Sequence, residues 1–186
     1  MAAGSKPLRA DAARNRTKLL SAATRAFAER GLDTPLEQIA RDAGVSIGTL
    51  YAHFATRDAL FDAVLPAQIA VLDDLIGQAL AEPDPWQGFT AFVESLFTLQ
   101  ANDSGLNDAL AGRFPLSPVV LEACHAGLER ATRVLDRAKA AGRLRPDFEV
   151  GDLTPLMVSM SQLFRSGAAP EAWRRHLGFF LDGLRT

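Results

Sequence analysis

The sequence predicts an all-α protein, and three observations carry that prediction. Apolar residues recur three and four apart through most of the 186 residues, the spacing of one face of a helix. Residues of N-cap type stand directly before several of these runs, with Pro, Glu or Gln at first-turn positions behind them. No run of alternating β-branched residues bounded by turn pairs interrupts them, so a sheet is not expected.

Taken in order, residues 1–10 (MAAGSKPLRA) read as a flexible basic arm. A first helix is expected over about 12–30, with Leu20, Ala23 and Phe27 on its apolar stripe and Gly31 as a left-handed cap. Thr34 has the N-cap residue type, Pro35 suits the first helical position and Glu37 completes a capping box, opening a short helix to Ala43 that stops at Gly44. Ser46 caps a third helix over 47–53, and Thr56 caps a long fourth over 57–81, which would span roughly 35–40 Å. After the Glu82-Pro83-Asp84-Pro85 punctuation, Asp84 with Gln87 opens a helix over 85–101. Residues 102–105 read as a loop before a short helix over 105–112. Ser117-Pro118 opens a long helix to Ala141, closed by Gly142, and two more follow near 152–167 and 170–185, separated by Gly167 and Pro170. Nine helices are therefore expected, arranged as an arm (1–10), a helix-turn-helix unit (11–56) and a larger helical body (57–186).

Composition agrees with a soluble globular chain, at 48% hydrophobic and 23% charged. The single cysteine, Cys124, excludes a disulfide framework and a C-x-x-C site. No apolar run approaches the roughly 18 residues that a membrane helix needs, and the first residues lack a signal-peptide stretch, so no membrane partner is expected and a cytoplasmic location is. The net charge of −2 divides unevenly. Residues 1–60 hold nine bases and six acids, the remainder eleven bases and sixteen acids. A basic end on an acidic body suggests an anionic partner at that end.

The stretch 36–54, LEQIARDAGVSIGTLYAHF, reads as a helix, a tight turn and a second helix. Ile39 and Ala40 face inward, Gly44 supplies a positive-φ turn, and Val45 and Leu50 close a small core. Ile47, Gly48, Thr49, Tyr51, Ala52 and His53 then face outward, where a recognition helix meets base edges and phosphates. Residues 16–61, and above all the Gly48-Thr49-Leu50-Tyr51…Phe54 run, are similar to the N-terminal domain of TetR-type transcriptional repressors. That resemblance implies a nine-helix fold in which a three-helix DNA-binding domain leads into a helical domain that dimerises and binds a small effector. Residue by residue, it implies base-reading positions at Ile47 and Gly48 and backbone or base contacts from Ser46, Thr49, Tyr51 and His53. It also implies phosphate contacts at Thr34 and Arg57, with Arg14 and Arg16 as arm contacts. Gly48 and Ala52 are small, so specificity would rest on Tyr51, apolar contacts and DNA shape.

In the body, apolar faces replace catalytic sets. His53, His125 and His176 lie on different helices, and no zinc, di-iron or phosphate-loop motif is present, so no enzyme, metal or cofactor is expected. Phe92, Leu96, Gln100, His125, Met157 and Met160 are the candidate lining of a cavity for a mainly apolar effector. The resemblance makes the last two helices a dimer interface, with Phe164, Trp173, Leu177, Phe180, Leu181 and Leu184 as its candidates. The leading reading is a homodimeric repressor released from a pseudo-palindromic double-stranded operator by a small effector. The alternative is a helical small-molecule-binding protein or enzyme whose helix-turn-helix no longer binds DNA.

Overall fold

The computed structural model describes residues 5–113, 117–166 and 170–186. Nine α-helices run through them: α1 (Ser5–Arg30), α2 (Leu36–Asp42), α3 (Ile47–His53), α4 (Arg57–Ala81), α5 (Pro85–Asn102), α6 (Ser104–Leu110), α7 (Pro118–Ala140), α8 (Leu153–Arg165) and α9 (Pro170–Leu184). Residues 1–4 of the expected arm and Gly167 lie outside the described residues.

The helix starts follow from side chains that accept otherwise unpaired backbone N–H groups. Ser46 accepts from Thr49, Thr56 from Ala59, and Ser117 from Val120. Asp84 accepts from Trp86 and Gln87, at 2.8 and 3.1 Å. Glu82, rather than Gln87, accepts the Asp84 N–H in return. Asp103 caps α6 through the Leu106 N–H at 2.8 Å, so this helix begins one residue earlier than expected.

Three corrections apply to the elements. The expected arm is helical from Ser5 onward, because Pro7 falls in the first turn, where its missing N–H has no intrahelical partner to lose, and Ala10, Ala12 and Ala13 favour helix. Pro35, not Thr34, occupies the cap position of α2, and it makes no side-chain cap bond. The start of the eighth helix is a 3₁₀ turn, Val150–Asp152, in which the Asp152 carboxylate accepts the Glu149 N–H at 2.8 Å.

Two apolar cores result. The first joins Leu19, Ala23 and Phe27 of α1, Ile39 and Ala40 of α2, Leu50 and Phe54 around α3, and Leu60 to Leu65 of α4. It therefore runs past residue 56 into the first turns of α4. The second packs α4, α5 and α7 together, with α8 and α9 laid against α5. Gly88 permits the tightest approach there, since a Cβ would stand 2.4 Å from the Ala79 carbonyl oxygen. Arg137 of α7 donates to that same carbonyl at 3.2 Å and to Pro83 at 2.9 Å, tying the three helices at one point. An isolated antiparallel bridge, Leu144 with Arg185, holds the end of α9 against the segment after α7.

Candidate nucleic-acid interface

The helix-turn-helix is built on a small buried anchor. Leu50 is fully buried and Phe54 nearly so, and together they hold the inner face of α3 against α1 and α2. Gly44 takes φ +67 in the turn, and the Val45 N–H closes it by donating to Ala40 at 3.0 Å. With the inner face fixed, the outer face of α3 is presented to solvent. Ile47 is 36% exposed and Tyr51 49%. Gly48 and Ala52 are exposed between them. Ser46 and Thr49 stand at the start of α3 with their hydroxyl oxygens 2.9 Å apart. His53 is half-buried, its ring 6.4 Å from that of Phe54.

The basic residues divide into two groups. The Arg16 guanidinium lies over the Phe54 ring, 4.9 Å from its centroid, which seats this cation beside the end of α3. Arg14 is exposed and pairs with Asp11 one turn earlier. Arg57, by contrast, turns inward and donates through Nη1 to the carbonyls of Leu32 and Thr34, the latter at 2.8 Å. Thr34 is buried, and its hydroxyl donates to Gly31 and Ala26 at 2.8 and 3.2 Å. Both residues expected to touch phosphate are thus engaged within the fold. Thr34 and Arg57 tie the α1–α2 loop to α4, because the carbonyls left at the end of α1 and in that buried loop need donors.

Residues 19–64 match the family described as "Bacterial regulatory proteins, tetR family", and residues 84–186, more than half of the chain, match "Transcriptional regulator SbtR-like, C-terminal domain". The chain belongs to the TetR family. It is a DNA-binding transcriptional regulator and not an enzyme. A TetR transcription regulatory protein from Mycobacterium vanbaalenii is 36% identical, over 97% of this chain and 100% of that one, with a TM-score of 0.56. The TetR transcriptional regulator SCO0520 from Streptomyces coelicolor is 32% identical over 91% and 98%, with a TM-score of 0.60. The HTH-type transcriptional repressor KstR2 of Rhodococcus jostii (strain RHA1) is 44% identical over 64 residues, 34% of this chain and 30% of that repressor's length.

The body of this TetR protein departs from the sequence expectations in two places. Phe92, Leu96, Met157 and Met160 are buried together in the second core. Gln100 is fully buried with them and donates to Asn107 at 3.1 Å and to the Met157 carbonyl at 2.9 Å. His125 lies on the exposed side of α7, so it does not join them. Among the proposed interface residues, Trp173, Leu177, Leu181 and Leu184 are at most 6% exposed and fill the chain's own core, while Phe164 and Phe180 are half-buried. The stripe of α9 that looked like an interface is needed to hold α9 down. The exposed apolar groups of the last two helices are instead Val158, 40% exposed, and Phe179, 63% exposed with Arg175 over its ring. As elsewhere in the body, no helix of the described residues is long and apolar enough to cross a membrane.

Sequence reasoning missed the joint between the TetR DNA-binding domain and the body. Asp108 of α6 is buried and accepts the Leu32 N–H through Oδ2 at 3.1 Å. Its Oδ1 pairs with Arg113 at 2.7 Å, and Arg113 reaches Asp33 at 2.9 Å. Gly31 takes φ +81, and a Cβ there would meet Asp108 Oδ2 at 2.5 Å. An acidic residue in a seven-residue helix carries no sequence signal for such a role. Only the positive-φ demand at Gly31 was visible beforehand.

Proposed function

We propose that this TetR regulator is a cytoplasmic repressor that binds a pseudo-palindromic DNA operator as a homodimer and releases it when a small molecule binds to the body. The observation that carries the reading is the outer face of α3, where Tyr51 and Ile47 stand exposed on a rigid anchor with Arg16 beside them. With Gly48 and Ala52 between them, this face is shaped for apolar contact with thymine methyls and for one aromatic side chain, not for a row of bidentate base contacts.

A dimer supplies the second half of recognition, because two such helices must reach successive major grooves on one DNA face, about 34–36 Å apart. Val158 and Phe179 support self-association through the outer faces of α8 and α9. Release follows from population shift: an effector that binds better to the form with mis-spaced recognition helices draws the dimer off its operator. The Asp108–Leu32 joint is the rigid link through which α6 and the body would move the end of α1.

The test is fluorescence anisotropy of the full chain on DNA flanking its own coding sequence. Tight, sequence-specific binding that Tyr51→Ala abolishes is expected. Equal affinity for this DNA and for random duplex would overturn the reading.

A further inference from the structure

Among the described residues six large apolar side chains are exposed, and two of them, Ile47 and Tyr51, stand on the seven-residue α3. They lie four positions apart, about one helical turn, so they form a single ridge on its outer face. Large apolar groups clustered in water are the informative exception on a protein surface. The polar groups around the ridge are short or engaged. The run from Ser46 to Phe54 contains no Arg, Lys, Asn, Gln, Asp or Glu, the side chains that pair with base edges. The hydroxyl oxygens of Ser46 and Thr49 lie 2.9 Å apart, and Ser46 Oγ also accepts the Thr49 N–H. His53 is half-buried beside Phe54. On α2, Arg41 donates to Gln38, while Gln38 and Arg30 both donate to Asp42, at 2.7 and 2.8 Å. What α3 offers a base edge is therefore apolar surface and single hydroxyls.

We propose that α3 recognises its operator through pyrimidine C5-methyl groups, with Ile47 as the reading side chain and the Tyr51 ring beside it. The inference rests on the DNA-binding reading of this face and deepens it, and it needs neither the dimer nor the effector. In the major groove the C5-methyl is the apolar group that a base pair presents, and it marks thymine against cytosine. A branched aliphatic side chain gains from covering it and finds no such group at the bare C5–H of cytosine or uracil. Burying one methyl is worth about a fourfold change in affinity. Single hydroxyls, by contrast, donate or accept as the base requires and discriminate weakly. The same chemistry has a regulatory consequence. Cytosine methylated at C5 carries its methyl in the same place, so α3 reads it as it reads thymine. Methylation then strengthens a site that holds cytosine at that position.

The experiment selects binding sites for the full chain from three random duplex pools at one salt concentration. The pools are ordinary DNA, DNA with uracil in place of thymine, and uracil DNA with 5-methylcytosine in place of cytosine. The first is expected to yield sites with thymine at a fixed position. The second should yield none of comparable affinity, and the third should recover sites with 5-methylcytosine at that position. Anisotropy on a selected site then measures each substitution alone. Uracil for the contacted thymine should weaken binding about fourfold, and 5-methylcytosine there should bind about fourfold more tightly than cytosine. Ile47→Ala is expected to bring the thymine-to-uracil affinity ratio to one, while Ile47→Val keeps a preference. The ratio compares two DNAs on the same protein, so a partly unfolded variant does not distort it. Equal affinity for thymine and uracil, no gain from 5-methylcytosine over cytosine, or a ratio that Ile47→Ala leaves intact overturns the inference. Each of those results leaves DNA binding by α3 standing. Sequence-specific sites in no pool would overturn both the inference and the reading of α3 as the recognition helix.

Discussion

The Asp108 carboxylate accepts the backbone N–H of Leu32 at 3.1 Å, across 76 positions of sequence, and this buried bond joins the loop after α1 to the short helix α6 of the body. With the Arg113 pair on its other oxygen, Asp108 is satisfied on both sides. Asp108→Ala would strand the Leu32 N–H and remove one of the two carboxylates that Arg113 pairs with. It is expected to lower stability by about 1–3 kcal/mol and to uncouple operator affinity from effector. Urea unfolding and anisotropy with and without effector check this. Unchanged stability would mean that the joint is held elsewhere.

Gly31 offers an independent probe of the same contact. An alanine there must adopt a positive φ and place its Cβ against Asp108 Oδ2. Gly31→Ala is expected to cost at least about 1–2 kcal/mol from the backbone alone. A melting curve that superposes on the parent's would refute the close approach.

Tyr51 and Arg57 should separate binding from folding. Tyr51→Ala removes an exposed side chain and is expected to leave Tm unchanged while costing operator affinity about 1–3 kcal/mol. Arg57→Ala removes the donor to two carbonyls of a buried loop, so it should lower Tm, with any loss of DNA binding following from instability. The reverse pattern would restore Arg57 as a phosphate contact.

Salt titration counts the phosphates. With Thr34 and Arg57 engaged in the fold, Arg14 and Arg16 remain as the basic contacts of each subunit, and a dimer with about four should show a log affinity against log salt slope near −4. A slope nearer −9 would require cations beyond those that face α3.

Phe179 tests self-association. Phe179→Glu places a charge on the most exposed large apolar side chain of α9 and is expected to give a monomer in sedimentation and to abolish high-affinity operator binding. A dimer that persists would put the interface on another face.

The pH dependence has one clear contributor at a helix start. Hydrogen bonds from the Gln87 and Trp86 N–H groups hold the Asp84 carboxyl below its ordinary value. A carboxyl depressed in the folded state stabilises above its unfolded pKa, near 3.8, and loses that contribution as pH falls through the folded value. Asp84→Asn keeps the cap but not the charge, so its Tm should lie below the parent's at pH 7 and converge with it in acid. A constant gap across that range would exclude the charge as the cause.

Much of the helix plan was legible because it is written in local signals. Ser46, Thr56, Asp84 and Ser117 accept backbone N–H groups where their positions suggested, and Gly31, Gly44 and Gly142 take positive φ at helix ends. Periodicity also identified a buried face, that of Ala23 and Phe27 on α1. What periodicity cannot state is which neighbour covers a face. Trp173 and Leu177 looked equally fit for a partner subunit and for the chain's own core, and only packing against α5 and α8 assigned them.

The sequence by itself determined the all-α class, most helix boundaries and the helix-turn-helix with Tyr51 at its surface, because caps, turns and amphipathic spacing act over a few residues. Tertiary structure alone decided that Thr34 and Arg57 serve the loop, that Asp108 holds Leu32, and that Gln100 ties α5 to α6 and α8. Each of these depends on which buried donor or acceptor lies within about 3 Å. That distance is set by helices packing from far apart in the chain, where no local pattern reports it.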